Sequence, residues 1–235
     1  MNDLLQATAQ RAIRYLSSVD TRGVAPTPEA IARLAALGGP LPEEPADAAE
    51  VLALLDDIGS PATMASTGGR YFGFVIGGAL PATLAASWLA STWDQNGGMT
   101  VASPIASALE VAAQGWLLDV LGLPASAGVG FVTGATMANF SALAAARHAL
   151  LERAGWNVEA QGLFGAPPIT VVVGDEVHVS LLKGLNLLGL GRERVVRVPV
   201  DRQGRMRPDA LPPLSSSTLL CIQAGNVNTG ACDPV

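Results

Sequence analysis

Lysine is almost absent from this sequence, since Lys183 is the sole lysine in 235 residues. Charged residues make up only 14% of the chain, and the formal net charge is −6. Nucleic acids and anionic membrane surfaces are bound by clustered lysine and arginine. The scarcity of basic residues therefore argues against nucleic acid and against an anionic membrane as partners.

Cysteine is also scarce, with two residues in the chain. Cys221 and Cys232 do not have the spacing of a metal-ligand set, so no metal site is predicted. The N-terminal segment lacks the basic and apolar regions and the small-residue cleavage site of a secretory signal. A cytoplasmic location is therefore the expectation.

Two long stretches have no charged residue, from Tyr71 to Trp93 and from Val120 to Ala146. Each is long enough to span a bilayer, which requires about 20 residues. A membrane helix is richer in leucine and isoleucine than these glycine- and alanine-containing stretches, and basic residues flank it. We therefore predict buried structure without a membrane span, together with a large subunit interface that covers apolar surface.

Secondary-structure signals divide the chain near residue 60. Residues 1–60 predict two helical segments joined by a link rich in proline and glycine. Further helices are predicted from Pro81 to Trp93 and from Pro104, where Ser103 is the cap, to a stop at Gly122.

Strands and helices alternate in the rest of the chain. The predicted strands are "GVGFVTG", "ITVVVG", "RVVRVPV" and "TLLCIQAG", and the predicted helices are "ATMANFSALAAARHALLERAG" and "HVSLLKGLNLLGLG". This alternation predicts an α/β fold with a mainly parallel sheet.

Three loops follow predicted strands: "TGAT" at 133–136, "GDEVH" at 174–178 and "AGNVNTG" at 224–230. Parallel sheets bind ligands beyond the carboxyl ends of their strands, so we expect these loops to converge on one crevice. Gly134 and Thr136 open a long helix whose free N–H groups suit a phosphate. An ordinary turn with Thr136 as helix cap is the alternative.

His178 opens the helix after the second loop and can present its flat ring to the crevice. A capping or core histidine is the alternative, whereas His148 lies on a polar helix face and is expected to be solvated. The third loop supplies amide and hydroxyl groups without a charge. The sequence contains neither a P-loop nor a G-x-G-x-x-G fingerprint, although a nucleotide-binding α/β domain stays open as a weaker alternative.

Four segments together carry a resemblance to a known family. They are "FVTGATMANFSALAAARHALLERAGW", "GDEVHVSLLKGLNLLGLG", "VPVDRQGRMRPDAL" and "AGNVNTGACDP". Jointly they resemble the group II pyridoxal-phosphate-dependent amino acid decarboxylases, the group of the aromatic-amino-acid and glutamate decarboxylases. The resemblance implies the type I aminotransferase-like fold and a homodimer. It also implies that residues 1–60 form a helical, dimer-forming arm and that residues 61–235 are the first part of the cofactor-binding large domain, with an incomplete sheet.

The resemblance further implies pyridoxal 5′-phosphate as cofactor and an L-amino acid as substrate. Three residues of the first loop correspond to the turn that holds the phosphate, His178 to the histidine stacked on the pyridine ring, and two residues of the third loop to polar contacts near the ring and the substrate carboxylate. Phe74 matches a wall of the substrate pocket. The implied cofactor-binding residues are Gly134, Ala135, Thr136, His178, Asn228 and Thr229.

The family also requires a Schiff-base lysine and an aspartate at the pyridine nitrogen. By the resemblance, both are expected beyond Val235. Lys183 is expected to be solvated, because its helix turns Leu181 and Leu185 inward. We therefore expect the chain to be an inactive first part of a decarboxylase. A non-catalytic cofactor-binding or dimerisation fragment and another type I lyase are the alternatives.

Overall fold

A computed structural model describes residues 1–234 of the protein. The chain divides into two compact units, Met1–Asn96 and Gly97–Val235. The first unit is helical. Its helices are α1 (Asn2–Ser18), α2 (Pro28–Arg33), α3 (Ala48–Gly59) and α4 (Pro81–Trp93), with short 3₁₀ turns at Leu34–Leu37 and Ser60–Ala62.

Helix α2 lies within the segment predicted as a link between two helices, so that prediction was wrong there. Local caps define where the helices of the first unit begin. Thr27 caps α2 by accepting a hydrogen bond from the Ala30 N–H, and the Asp47 carboxylate caps α3 by accepting from the Ala49 and Glu50 N–H groups. Pro81 occupies the first turn of α4, where no intrahelical N–H donor is needed. The predicted bounds of α4 are confirmed.

The second unit contains an open, three-stranded parallel sheet flanked by helices. Its helices are α5 (Pro104–Val120), α6 (Ala135–Arg153), α7 (Val158–Gln161) and α8 (Val179–Leu187), and its strands are β1 (Thr170–Gly174), β2 (Val196–Val198) and β3 (Thr218–Cys221). The strand order is β2-β1-β3, and both pairings of β1 are parallel. The predicted α/β class is confirmed. So is the cap of α5, where the Ser103 hydroxyl accepts from the Ala106 N–H.

Strand β1 is the centre of the second unit because both of its faces are buried. Val171 and Val173 pack with Leu185 of α8 and with leucines of α6, while Val172 packs on the opposite face with Val198 and a methionine. Continuous apolar strands are typical of parallel sheets that are covered on both faces. The sheet edge that carries the loops is therefore built on a rigid support.

One predicted strand is wrong. Residues 128–133, within "GVGFVTG", form no strand and have no ladder partner among residues 1–234. Phe131 and Val132 of this segment are 52% and 42% exposed. A strand exists only where a neighbour completes its backbone hydrogen bonds, and an apolar pattern cannot guarantee that neighbour. Strand β2 also ends earlier than predicted, because Pro199 has no N–H to donate to a ladder.

The two uncharged stretches occupy different kinds of structure. The stretch from Tyr71 to Trp93 combines a turn region with α4, and the stretch from Val120 to Ala146 contains a long loop and the first part of α6. Within the described residues, no helix has both the length and the apolar character needed to cross a membrane.

Candidate functional site

The three predicted loops meet at one cleft at the carboxyl edge of the sheet, with a volume of about 700 Å³. Ala135 lines it from the first loop, Glu176 and His178 from the second, and Asn226 and Asn228 from the third. The loops after β1 and β3 meet there because parallel strands end at the same edge. The predicted convergence of the three loops is confirmed.

The first loop delivers the start of α6 to the cleft. Gly134 stands at the cap position in an extended conformation (φ 160°, ψ 177°), and no side chain of the described residues caps the helix. The first N–H groups of a helix have no intrahelical acceptor, and they form its positive end. The alternative in which Thr136 caps α6 is wrong, because Gly134 holds that position. Ala135 lines the cleft, whereas Gly134 and Thr136 are not among its lining residues.

His178 both caps α8 and lines the cleft. Its Nδ1 accepts a hydrogen bond from the Ser180 N–H at 3.2 Å and lies 2.7 Å from the Ser180 hydroxyl. The same hydroxyl receives a hydrogen bond from Asn139 Nδ2 at 2.8 Å. Because Nδ1 is an acceptor, the hydrogen bonds assign the neutral tautomer that carries its proton on Nε2. The capping alternative is thus confirmed, and it leaves the exposed ring fixed at the edge of the cleft.

The third loop is shaped by the buried side chain of Asn226, which is 5% exposed. Its Oδ1 accepts from the Asn228 N–H at 2.9 Å and from the Thr229 N–H at 3.4 Å. The exposed side chain of Asn228 lines the cleft. Thr229 does not line it, because its hydroxyl donates to the Gln203 carbonyl oxygen at 2.7 Å. The structure therefore brings Asn228, but not Thr229, into the cleft with His178.

Sequence reasoning did not single out several polar residues of the cleft, among them Asn139, Glu176, Ser180 and Asn226. Three of them lie in or next to the quoted loops, and their polarity beside glycine and histidine was the available signal. Asn139 follows Ala135 by four residues, so the helical repeat places both on the same face of α6. Ser180 and Asn226 are two of the three buried polar residues among residues 1–234.

Glu176 and Asp233 supply the carboxylates of the cleft, and none of its lining residues among those described is a lysine or arginine. The Asp233 carboxylate accepts from the Met206 and Gln223 N–H groups, each at 2.7 Å, and so closes the base of the third loop. Burial raises the pKa of the Cys221 thiol to about 11, so this thiol stays protonated at neutral pH.

Two further residues of the sequence analysis are exposed. Phe74 belongs to the first unit, where it is 92% exposed and adopts a positive φ of 57°, as does the following Val75 at 53°. Lys183 is exposed on α8 and does not line the cleft, while Leu185 of the same helix is fully buried. Solvation of Lys183 is confirmed.

Residues 41–231 match the pyridoxal-dependent decarboxylase conserved domain. The chain belongs to this family. The match includes all three loops of the cleft, and it confirms the expected family and pyridoxal phosphate as the cofactor. It also favours the pyridoxal interpretation over a nucleotide-binding domain.

Curated relatives of this decarboxylase-family chain share moderate identity with it. The aromatic-L-amino-acid decarboxylase of Bacillus atrophaeus is 30% identical over 156 residues, which cover 63% of this chain and 30% of the relative. Tryptophan decarboxylase 1 of Oryza sativa subsp. japonica is 28% identical over 188 residues, which cover 71% and 36% of the two chains. The chain therefore spans about a third of the length of these relatives.

Solved structures support the fold of this decarboxylase-family chain. Mouse CSAD in apo form superposes with a TM-score of 0.79 at 22% identity, covering 100% of this chain and 51% of that one. Oryza sativa TDC with PLP and tryptamine gives 0.76 at 23% identity, covering 89% and 44%. At these identities the likeness shows the fold alone, which is the type I fold that the sequence predicted.

Proposed function

We propose that this chain is the first part of a pyridoxal-phosphate-dependent decarboxylase of an L-amino acid, a carboxy-lyase. The observation that carries the proposal is the pairing, in one cleft, of an uncapped helix start with a fixed imidazole. The α6 N-terminus is a site for an anion, and the ring of His178 is a flat surface. Both lie within the conserved domain of the family.

The described residues fit the cofactor. A cleft of about 700 Å³ is within the usual range for small-molecule sites. We propose that the N–H groups of Gly134, Ala135 and Thr136 hold the phosphate and that His178 lies against the pyridine ring. Asn228 would reach the ring or the substrate carboxylate, and Thr229 would support that contact from the adjoining turn.

The chemistry that the cofactor supplies when bound is an electron sink for the carbon that loses its carboxylate. This chain's own residues orient the reacting groups. Ser180 holds His178 through Nδ1, and Asn139 in turn holds the Ser180 hydroxyl, so the imidazole plane is fixed from two elements. A fixed imidazole plane would keep the pyridine ring that lies against it in one orientation. That orientation would favour cleavage of the substrate bond that stands perpendicular to the pyridine ring. The substrate-pocket wall would be formed by Phe74.

No lysine of this chain is positioned for covalent capture of the cofactor, since Lys183 is exposed and lies off the cleft. We propose that the lysine comes from outside these 235 residues and that the chain alone is inactive. The same observation supports a second candidate, a non-catalytic cofactor-binding or dimerisation fragment. Another type I lyase stays a weaker alternative.

We also propose the wider organisation that the resemblance implies. Residues 1–60 would be a dimer-forming arm and residues 61–235 the first part of the large domain, in a homodimer located in the cytoplasm. Exposed apolar side chains support an interface, such as Trp116 at 73% and Val120 at 80% exposed, both on α5.

A binding experiment tests the proposed site. We expect the 235-residue chain to bind pyridoxal phosphate, measured by the absorbance and fluorescence of the cofactor. His178→Ala should weaken binding by about tenfold through loss of ring contact. His148→Ala is the matched control and should bind as the wild type, because His148 pairs with Glu159 on the surface and does not line the cleft. Equal binding by all three proteins would contradict the assigned role of His178.

A complementation experiment separates the two candidate functions. The chain is mixed with a polypeptide that carries the lysine-containing remainder of a family member, and carbon dioxide release from a panel of L-amino acids is measured. Release of carbon dioxide supports the decarboxylase. A complex that binds the cofactor covalently but releases no carbon dioxide from any amino acid would favour the non-catalytic fragment or another lyase.

A further inference from the structure

A hydrogen bond joins the second and third loops of the cleft. Asn226 Nδ2 donates to Glu176 Oε2 at 2.7 Å, which is short for a bond between an amide and a carboxylate. Asn226 is 5% exposed, so its amide has little access to water. A buried amide that lost this acceptor would be left unsatisfied, which is costly.

The chemistry of its neighbours fixes the orientation of the Asn226 side chain. The ionised carboxylate of Glu176 can only accept, so it selects the NH₂ end of the amide. The backbone N–H groups of Asn228 and Thr229 can only donate, so they select the oxygen end. One side chain thus connects the second loop to the turn that presents Asn228.

The backbone of Gly204 leaves room for this pair. A Cβ at this position would overlap Asn226 Nδ2 and lie 2.6 Å from Glu176 Oε2. Gly204 also has a φ of +77°, in the region that favours glycine. The pair is therefore packed against the 201–205 turn, whose Gln203 carbonyl oxygen receives the Thr229 hydroxyl.

We propose that Glu176 and Asn226 are a positioning pair that holds the third loop against the second, so that Asn228 and His178 keep a constant separation across the cleft. This inference rests on the proposed function for the identity of the ligand, pyridoxal phosphate. Glu176 lies two residues before His178, and Asn226 lies two residues before Asn228. One hydrogen bond therefore links the supports of two groups that would face the same ligand.

A series of variants that exchanges the amide and the carboxylate of the two residues tests the positioning pair. Asn226→Asp keeps an acceptor for the Asn228 and Thr229 N–H groups but sets a carboxylate against Glu176, so the two loops should separate. Glu176→Gln in that background restores a donor and an acceptor with their roles reversed. Glu176→Gln alone retains an acceptor but loses the charge, so both readouts should change less than in Asn226→Asp. Glu193→Gln is the control, because Glu193 is exposed and does not line this cleft.

Two readouts are measured on the full chain: amide hydrogen exchange of Asn228 and Thr229 without ligand, and the dissociation constant for pyridoxal phosphate. We expect Asn226→Asp to accelerate exchange and to weaken binding by about tenfold each. The double variant should recover both to within about threefold of the wild type. Glu176→Ala, which adds no charge, should accelerate exchange as well and serves if Asn226→Asp does not fold.

The outcomes separate this inference from the proposed function. Unchanged exchange in Glu176→Ala, or a folded double variant no better than Asn226→Asp, would overturn the positioning pair. The variants could show the expected order of exchange rates although the chain binds no pyridoxal phosphate. That result would support the positioning pair as a link between the loops and would contradict the proposed ligand.

Discussion

In the first unit the buried apolar residues are Ala30, Ile58 and Ala65, whereas the second unit buries thirteen such residues within the described part of the chain. Helix α1 has no buried residue, and neither has α4. In contrast, Val172, Val173 and Leu185 of the second unit have no exposed surface. Apolar burial is the main source of folding free energy, so the second unit has the stronger core.

Polar contacts join the segments of the first unit, which has few buried apolar residues. Arg11 of α1 pairs with Asp56 of α3 at 2.9 Å, and Arg22 donates to the Ser60 carbonyl oxygen. Both side chains of this ion pair are only partly buried, so water and salt still screen it and its contribution to stability is small. The candidate cleft thus lies on the unit with a closely packed sheet, where loops can be held to the accuracy that binding requires.

The largest expected effect is the loss of a leucine from the core of the second unit. Leu185→Ala should lower the free energy of unfolding by about 2 to 5 kcal/mol, because Leu185 is fully buried between α6 and the sheet. Leu55→Ala on α3 is the matched change in the first unit and should cost less than about 1 kcal/mol, since Leu55 is 55% exposed. Urea unfolding followed by circular dichroism measures both. Equal losses of unfolding free energy in the two variants would show that the second unit does not have the stronger core.

A smaller effect is expected at the close approach beside the cleft. Gly204→Ala should destabilise the chain by about 2 to 4 kcal/mol, because the added Cβ meets Asn226 and Glu176 in a strained backbone conformation. Gly230→Ala has a similar φ of +72° but open space around the added atom, so only the backbone strain of about 1 to 2 kcal/mol applies. Thermal unfolding of the two variants distinguishes crowding from strain. If Gly230→Ala were the more destabilising change, the described packing of Gly204 would be wrong.

The smallest effect is expected from acid on the first unit. The hydrogen bond from Arg11 holds the pKa of the Asp56 carboxyl below its ordinary value, with a further contribution from Ser60. A lowered folded-state pKa stabilises the folded unit at neutral pH. That contribution begins to be lost below the ordinary value of about 3.9 and disappears as the pH falls through the folded value.

The protection factors of the α1 and α3 amides, each the intrinsic exchange rate at that pH divided by the observed rate, measure this loss at pH 6 and at pH 3. Arg11→Gln should lower the protection factors at pH 6. It should also reduce the difference in protection factor between pH 6 and pH 3. Arg14→Gln is the control, because Arg14 lies 3.8 Å from Asp56 and is 63% exposed. The same pH dependence in the wild type and in Arg11→Gln would show that this ion pair does not stabilise the first unit.

Sequence patterns predicted the longer helices and the class of the fold because these depend on local signals, but they did not predict the short helices α2 and α7. Ser103 followed by Pro104 predicted the start of α5, and the apolar run "ITVVVG" predicted β1. The strand predicted at "GVGFVTG" failed because a strand depends on a partner elsewhere in the chain. The same limit applies to Pro199, which ends β2 because it has no N–H. The sequence alone does not show where a neighbouring strand would require that donor.

Within the candidate site, sequence reasoning located the loops but not the contacts that shape them. His178 was recognised from its position after a strand, yet its attachment to Ser180 and Asn139 depends on how α6 packs beside α8. Asn226 and Glu176 are 50 residues apart, so no local pattern indicates their hydrogen bond. Thr229 was grouped with Asn228 as a neighbour, but the turn directs its hydroxyl to Gln203.

The family, most of the alternation of strands and helices, and the order of the three loops could be inferred from the amino-acid sequence, because they follow from nearest-neighbour chemistry and from motifs in a fixed order. Which side chains of those loops share the cleft depends instead on the packing of the folded chain. That choice rests on distances between residues far apart in the chain, such as Glu176 and Asn226, and on the close approach at Gly204. Such distances are set by the packing of the sheet and its helices, which joins segments that the linear order keeps apart.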